Sequence, residues 1–232
     1  MTLPDSDSGA AAAPATPRRH AMPFTRIELA VLTVAAGHLA VLLGRRAEAP
    51  ERGKWALPGG VLRIDLDRDL DAAAHRVAKD RLQVDVPFLR QLRATGGPDR
   101  DARAPWALSI AYRALLPVGT FAPAPGKRIV ALEWRSADEA AADRRLAFDH
   151  ADLIRCAVEA TRAEIDRLEL PGDLLPDAFT LGELQATCEA ILGRRLDKSS
   201  FRRRIDERKL LVPVRGEMRT GAFRPAQLYR KR

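Results

Sequence analysis

Two apolar runs dominate the early part of the chain. "RIELAVLTV" (residues 26–34) and "HLAVLLGRR" (residues 38–46) are each long enough for a strand, and the intervening "AAG" allows a tight reversal, so the pair predicts a hairpin. The next stretch, "EAPERGKWALPGG", is rich in turn-forming residues and predicts a loop. From Asp69 the period changes. Leu70, Ala73, Ala74, Val77 and Ala78 fall on one face of a helix that reaches Leu82. Three further strand-like segments come next: "PFLRQLRATG", then "WALSIAYRALLP", stopped by Pro117, then "KRIVALEWR", which runs into a turn at "SADEAA". Together these elements predict an α+β domain over residues 23–149.

Leu153, Ile154, Ala157, Val158, Thr161, Ile165 and Leu168 recur at helical spacing, so an amphipathic linker helix leaves this domain, over residues 150–172. "PGDLLPDAF" then breaks the chain and marks a second domain, residues 173–232. Thr180 and Glu183 form a capping box before a helix with Leu184, Cys188 and Ile191 inward, and Gly193 stops it. Asp197 is placed to cap a second helix, residues 198–207, anchored by Phe201 and Ile205. "LLVPV", the turn "RGEMRTG" and "AFRPAQLYR" predict a β-hairpin after it. Two helices and a hairpin make a winged helix-turn-helix pattern.

Charge sharpens that reading. The formal net charge is +8, and residues 174–232 carry 14 basic and 7 acidic side chains, which leaves the rest of the chain nearly neutral. Such a local excess suits a polyanionic partner, although basic faces are also commonly just solvated. The second helix of the pair has the width of the DNA major groove. Lys198, Ser199, Arg202, Arg203 and Arg204 on that helix, with Arg215, Arg219 and Arg224 on the hairpin, are the candidate contacts to double-stranded DNA. The remaining composition mainly excludes. No apolar run is long enough to span a membrane, and the opening residues lack a basic-then-apolar leader, so a cytoplasmic location is expected. Residues 1–22, rich in Pro, Ala and Ser, predict a disordered tail. Cys156 and Cys188 are far from any CxxC spacing and read as reduced, buried thiols. His20, His38, His75 and His150 share no metal-ligand spacing, and none is given a catalytic role; no metal and no cofactor are expected.

"WALPGG" and the helix after it resemble a Nudix domain, whose box runs from Gly through spaced acids to R-E-U-x-E-E-x-G-U, U being a bulky aliphatic residue. Gly60 takes the opening Gly, and Arg76 takes the box Arg if the loop carries two extra residues. Val77 then stands at the first helix Glu, Asp80 and Arg81 at the acidic pair, and Gln83 at the closing Gly. In active Nudix hydrolases those glutamates hold Mg²⁺ or Mn²⁺, which clamps a diphosphate and activates water. Val77 offers no ligand atom, and Arg81 brings a permanent cation to the place of a dication. The box reads as catalytically degenerate.

Further blocks extend the likeness. "QLRATGGPDRDARAPWALSIAYRALLP", "LAFDH", "FTLGELQATCEAILGRRLDKSSFRRRI" and "GAFRPAQLYR" are similar, in order, to segments of the Nudix-related transcriptional regulators of the NrtR type. The resemblance implies a Nudix-like α/β/α sandwich followed by a winged helix. It also implies a homodimeric repressor of NAD-cofactor or sugar-metabolism genes that answers to ADP-ribose, a related nucleotide or a sugar. Candidate effector contacts are Arg100 and Arg103, able to fork a phosphate or to close a surface turn, with Arg45 and Arg46 after the second strand, and Asp80. Trp55 and Trp106 either stack on a base or pack in the core, the core being the expectation. The rival readings are a divergent Nudix hydrolase acting on ADP-ribose or another nucleoside diphosphate, and a module whose basic end binds an acidic protein.

Overall fold

The computed structural model describes residues 22–98, 100–117, 119, 121–171, 174–219 and 225–232; the segment read as a tail lies outside them up to residue 21. Strands β1 (Phe24–Ala35) and β2 (His38–Arg46) form the expected antiparallel hairpin around Ala36 and Gly37. Strand β1 is central. It pairs in parallel with β6 (Ala107–Leu115) along its length and, near its start, antiparallel with β4 (Gly59–Val61). Strand β5 (Arg90–Gly97) extends the sheet beyond β6, while β3 (Trp55–Ala56) and β7 (Ile129–Ser136) pair with β2. The stretch read as loop alone thus carries two short strands, because Trp55 and Ala56 find backbone partners on β2 and Gly59 to Val61 find them on β1.

Helix α1 (Leu70–Leu82) covers one face of this sheet, with Ala73, Ala74, Val77 and Ala78 against Ile27, Leu29 and Val31. Helices α2 (Ala137–Ala142) and α3 (His150–Asp166) cover the other, meeting Ala30, Leu32 and Val41. Burial on both faces explains why β1 reads as a nearly unbroken apolar run rather than an alternating one. Helix α2 occupies the segment expected to be a turn. Its buried residues are all alanine, too small to leave a hydrophobic periodicity in the sequence. Asp69 caps α1 by accepting from the Ala72 N–H, and Gln83 ends it in a left-handed conformation (φ +56°), the backbone shape that makes Gly the common residue there.

The second domain follows its expected outline. Strand β8 (Phe179–Thr180) leads into α4 (Leu181–Leu192), whose capping box has both reciprocal bonds and whose end is Gly193 at φ +67°. Helix α5 (Lys198–Glu207) buries Phe201 and Ile205, and β9 (Leu211–Arg219) pairs with β10 (Ala226–Lys231). Most of "RGEMRTG" extends β9 rather than forming the turn, which falls outside the described residues. The core of this domain is continuous with the α3 side of the first sheet. Among the described residues no helix is long and apolar enough to cross a membrane.

Candidate effector cleft and nucleic-acid interface

The "LPGG" segment enters the sheet beside β1, with Leu29 N–H donating to Pro58 O at 2.8 Å. Its two glycines have separate reasons. A Cβ on Gly59 would collide with the Glu28 carboxylate, and one on Gly60 would lie 2.8 Å from a methyl of Val77. Gly59 therefore admits an acid beneath the loop, and Gly60 lets α1 approach it.

Glu28 is almost wholly buried. Its Oε1 accepts from Arg26 Nε at 2.6 Å, while its Oε2 has no hydrogen-bond partner among the described residues. Around it a narrow cleft is walled by Arg26, Arg46, Arg81, Arg103 and Arg128, with Glu48 the one carboxylate in the lining among the described residues. Arg46 donates to Pro50 O and lies 5.0 Å from the centre of the Phe148 ring, which Arg26 shares at 5.8 Å. Arg81 leaves α1 and donates from Nε to Gly59 O and from Nη1 to Lys127 O, both at 2.7 Å. Burial and then the neighbouring guanidiniums of Arg26 and Arg103 lower the pKa of Arg46; burial, Arg128 and Arg26 do the same to Arg81. Crowded, incompletely paired cations in a part-desolvated cleft are the condition for holding an anion.

His150 closes the floor. It is the first residue of α3, and its Nδ1 accepts from the Leu57 N–H at 2.9 Å. The ring proton is then on Nε2, 3.8 Å from Glu28 Oε2. Burial, helped by Arg26, Arg100 and Arg46 and opposed by Glu28, pushes its pKa down to about 4, so the ring is neutral.

The sequence-derived effector residues are not all gathered here. Arg46 and Arg103 line the cleft, Arg103 also holding Asp101 in a two-pronged pair beneath the Phe24 ring. Arg100 is nearly buried and bonds to Asp149, so it ties a loop to the start of α3 instead of opening to a ligand. Arg45 alternates to the opposite side of β2, away from the lining. Asp80 is engaged by Lys127 at 2.7 Å and Arg76 at 3.5 Å, outside the cleft wall. Trp106, expected in the core, is 44% exposed and covers Gly96; Trp55 is half-buried with Arg135 over its ring. Cys188 is buried and Cys156 partly so. Sequence reasoning missed Arg26, Glu28, Arg128 and His150. The available signal was the i, i+2 pair of charges inside an otherwise apolar strand.

In the second domain Leu196 is tied to α4 through Glu189 and Gln185, which fixes the turn before α5. With Phe201 and Ile205 inward, Lys198, Ser199, Arg202 and Arg203 are exposed. Lys198 and Arg202 make no hydrogen bond or ion pair among the described residues, and Arg215 is exposed on β9. Arg204 departs from the expectation of a free reading residue: its Nη2 donates to Asp166 O at 3.0 Å, at the end of α3. Arg219 departs likewise, reaching Glu183 and Ala178 O at the start of α4. Arg224 lies outside the described residues.

Known proteins share this architecture. The family model for the NUDIX domain matches residues 25–156, and that for the NrtR DNA-binding winged helix domain matches residues 171–230. The chain is 35% identical over 208 residues to the ADPR responsive transcriptional repressor NtrR of Acinetobacter baylyi, covering 90% of this chain and 82% of that protein. It also superimposes on the crystal structure of Shewanella oneidensis NrtR complexed with a 27mer DNA, with a TM-score of 0.74, 32% identity and coverage of 90% of this chain and 93% of the other. The NUDIX domain of the same Shewanella protein, cocrystallised with ADP ribose, matches 61% of this chain and 90% of its own length, at 28% identity and a TM-score of 0.56.

Proposed function

The chain belongs to the NrtR family of NUDIX and winged-helix regulators, and from that premise we propose that it is a repressor whose hold on operator DNA answers to a diphosphate nucleotide of the ADP-ribose class. The observation that carries this reading is the pairing of two basic surfaces with different geometry. One is a recessed cluster of arginines beside "LPGG", shaped for a small anion. The other is an exposed face of α5 bearing Lys198 and Arg202, suited to a duplex. Lys198, Ser199, Arg202, Arg203 and Arg215 contact DNA; Arg26, Arg46, Arg81 and Arg103 contact the effector. The protein acts as a homodimer, so two α5 helices read two half-sites and the effector changes their spacing by favouring one arrangement of the pair. The regulated genes belong to NAD-cofactor or sugar metabolism.

The NUDIX domain senses and does not turn over its ligand. Asp67 is gripped by Arg76, Asp80 by Lys127 and Arg76, and Val77 is packed against Gly60, which leaves the box helix without a cluster of free carboxylates among the described residues. A mobility shift with duplex from upstream of the protein's own gene tests the proposal. Binding should occur at nanomolar to micromolar protein and change when ADP-ribose is added. A protein indifferent to every such duplex, or one that hydrolyses ADP-ribose through many turnovers with Mg²⁺, would defeat it.

A further inference from the structure

The NUDIX fold implies a divalent cation between box carboxylates and a diphosphate, and the residues here do not fit one. Among the described residues no group of three or more His, Cys, Asp or Glu side chains is placed to hold a metal ion. The acids nearest α1 already neutralise Arg76 and Lys127, and a guanidinium stands at one of the paired acidic positions. We propose that Arg81 is the specificity-determining residue that replaces the cation, so that the effector's diphosphate docks on its guanidinium with no metal ion between them. This deepens the effector reading of the cleft and rests on it.

The geometry supports a fixed clamp rather than a loose surface charge. Two donors of Arg81 are bound to the Gly59 and Lys127 carbonyls, one from the glycine loop and one from the segment before β7. Those bonds orient the guanidinium plane but supply no counter-charge, because both acceptors are neutral. Its Nη2 has no hydrogen-bond partner among the described residues and lies 3.7 Å from the position of a Cβ on Gly60. An arginine in the cleft lining that is held by two of its arms, with Nη2 left unbonded among the described residues, matches the planar recognition of phosphate oxygens. Arg26 and Arg46 flank it, each anchored through Nε, with Nη groups that make no hydrogen bond among the described residues. A dication entering this cluster would meet several like charges, whereas a diphosphate would relieve their mutual repulsion.

The test is isothermal titration of the full chain with ADP-ribose, first in EDTA and then in Mg²⁺. The dissociation constant should agree within about two-fold between the two buffers, and Arg81→Gln should weaken binding about ten-fold or more in both. Arg81→Lys, which keeps the charge but loses the fork, should fall between; it serves as the second variant if the circular-dichroism melt shows Arg81→Gln to be unfolded. Binding that needs Mg²⁺, or binding in EDTA that neither variant weakens, overturns the role of Arg81 while leaving the cleft as the effector site. Failure of the wild-type chain to bind ADP-ribose in either buffer overturns the effector reading itself.

Discussion

His150 Nδ1 accepts the Leu57 N–H across 2.9 Å, and this single bond joins the first residue of the helix leading to the winged-helix domain to the loop that walls the arginine-lined cleft. The bond requires a neutral ring. Protonating Nδ1 would remove the acceptor and place a cation beside Arg26, Arg100 and Arg46, with Glu28 opposing.

Stability should accordingly fall in mild acid. An unfolded histidine takes up a proton near pH 6.5, but this one resists until about 4. Between those values the unfolded state binds more protons, so stability is complete above pH 6.5 and declines as pH drops toward 4. The full effect is on the order of 3 kcal/mol. Urea denaturation at half-unit steps measures it, and His150→Gln, which keeps an acceptor for Leu57, should flatten the decline. An equally steep loss in that variant would move the cause elsewhere.

Replacing Arg202 and Arg203 by Ala should weaken operator binding about ten-fold or more at moderate salt. If both contact phosphates, the slope of log K against log salt should become shallower by about 2. Salt-titrated fluorescence anisotropy gives both quantities. An unchanged slope would remove these residues from the DNA backbone.

The elements and the site differ in how far they could be read from the chain. The longer strands, α1 and the α4–α5 pair were legible because local periodicity and caps specify them, Thr180 with Glu183 and Asp197 above all, whereas the two- and three-residue strands β3, β4 and β8 carry no periodicity of their own. The cleft was less so. Arg26 and Glu28 gain meaning only when β4 pairs with β1 and Gly59 opens space over the carboxylate. Arg100 reads as a free phosphate fork until Asp149, 49 residues away, is brought against it. The same holds for Arg204, whose partner carbonyl is 38 residues distant. Helical spacing says which face a residue occupies, not what a neighbouring element has placed there.

Arg204→Ala should behave unlike its neighbours on α5. Its hydrogen bond goes to the last residue of α3, with Arg208 reaching Arg167 O alongside. Removal should lower stability by about 1 kcal/mol or less, given the exposure of the bond, and leave the salt slope of DNA binding unchanged. The effector response is the sensitive readout, because α3 runs from the cleft floor to this contact. A salt slope reduced by about 1 would return Arg204 to the DNA-facing set.

The Arg113–Glu164 pair should be the costliest polar contact to break. Arg113 lies on β6 with its side chain 5% exposed, donates from Nη2 to both carboxylate oxygens of Glu164 at 2.8 Å, and reaches Thr161 on the same helix from Nη1. Glu164→Ala would leave a buried guanidinium without its counter-charge, at a cost of about 3 kcal/mol, the lower end for such pairs because Glu164 retains some solvent and also meets Arg90. Arg113→Met combined with Glu164→Leu should recover much of that loss, since an apolar pair has no charge to desolvate. A double-mutant cycle by urea denaturation separates the two explanations. Recovery assigns the cost to the stranded charge; a loss equal to the sum of the single variants assigns it to packing between β6 and α3.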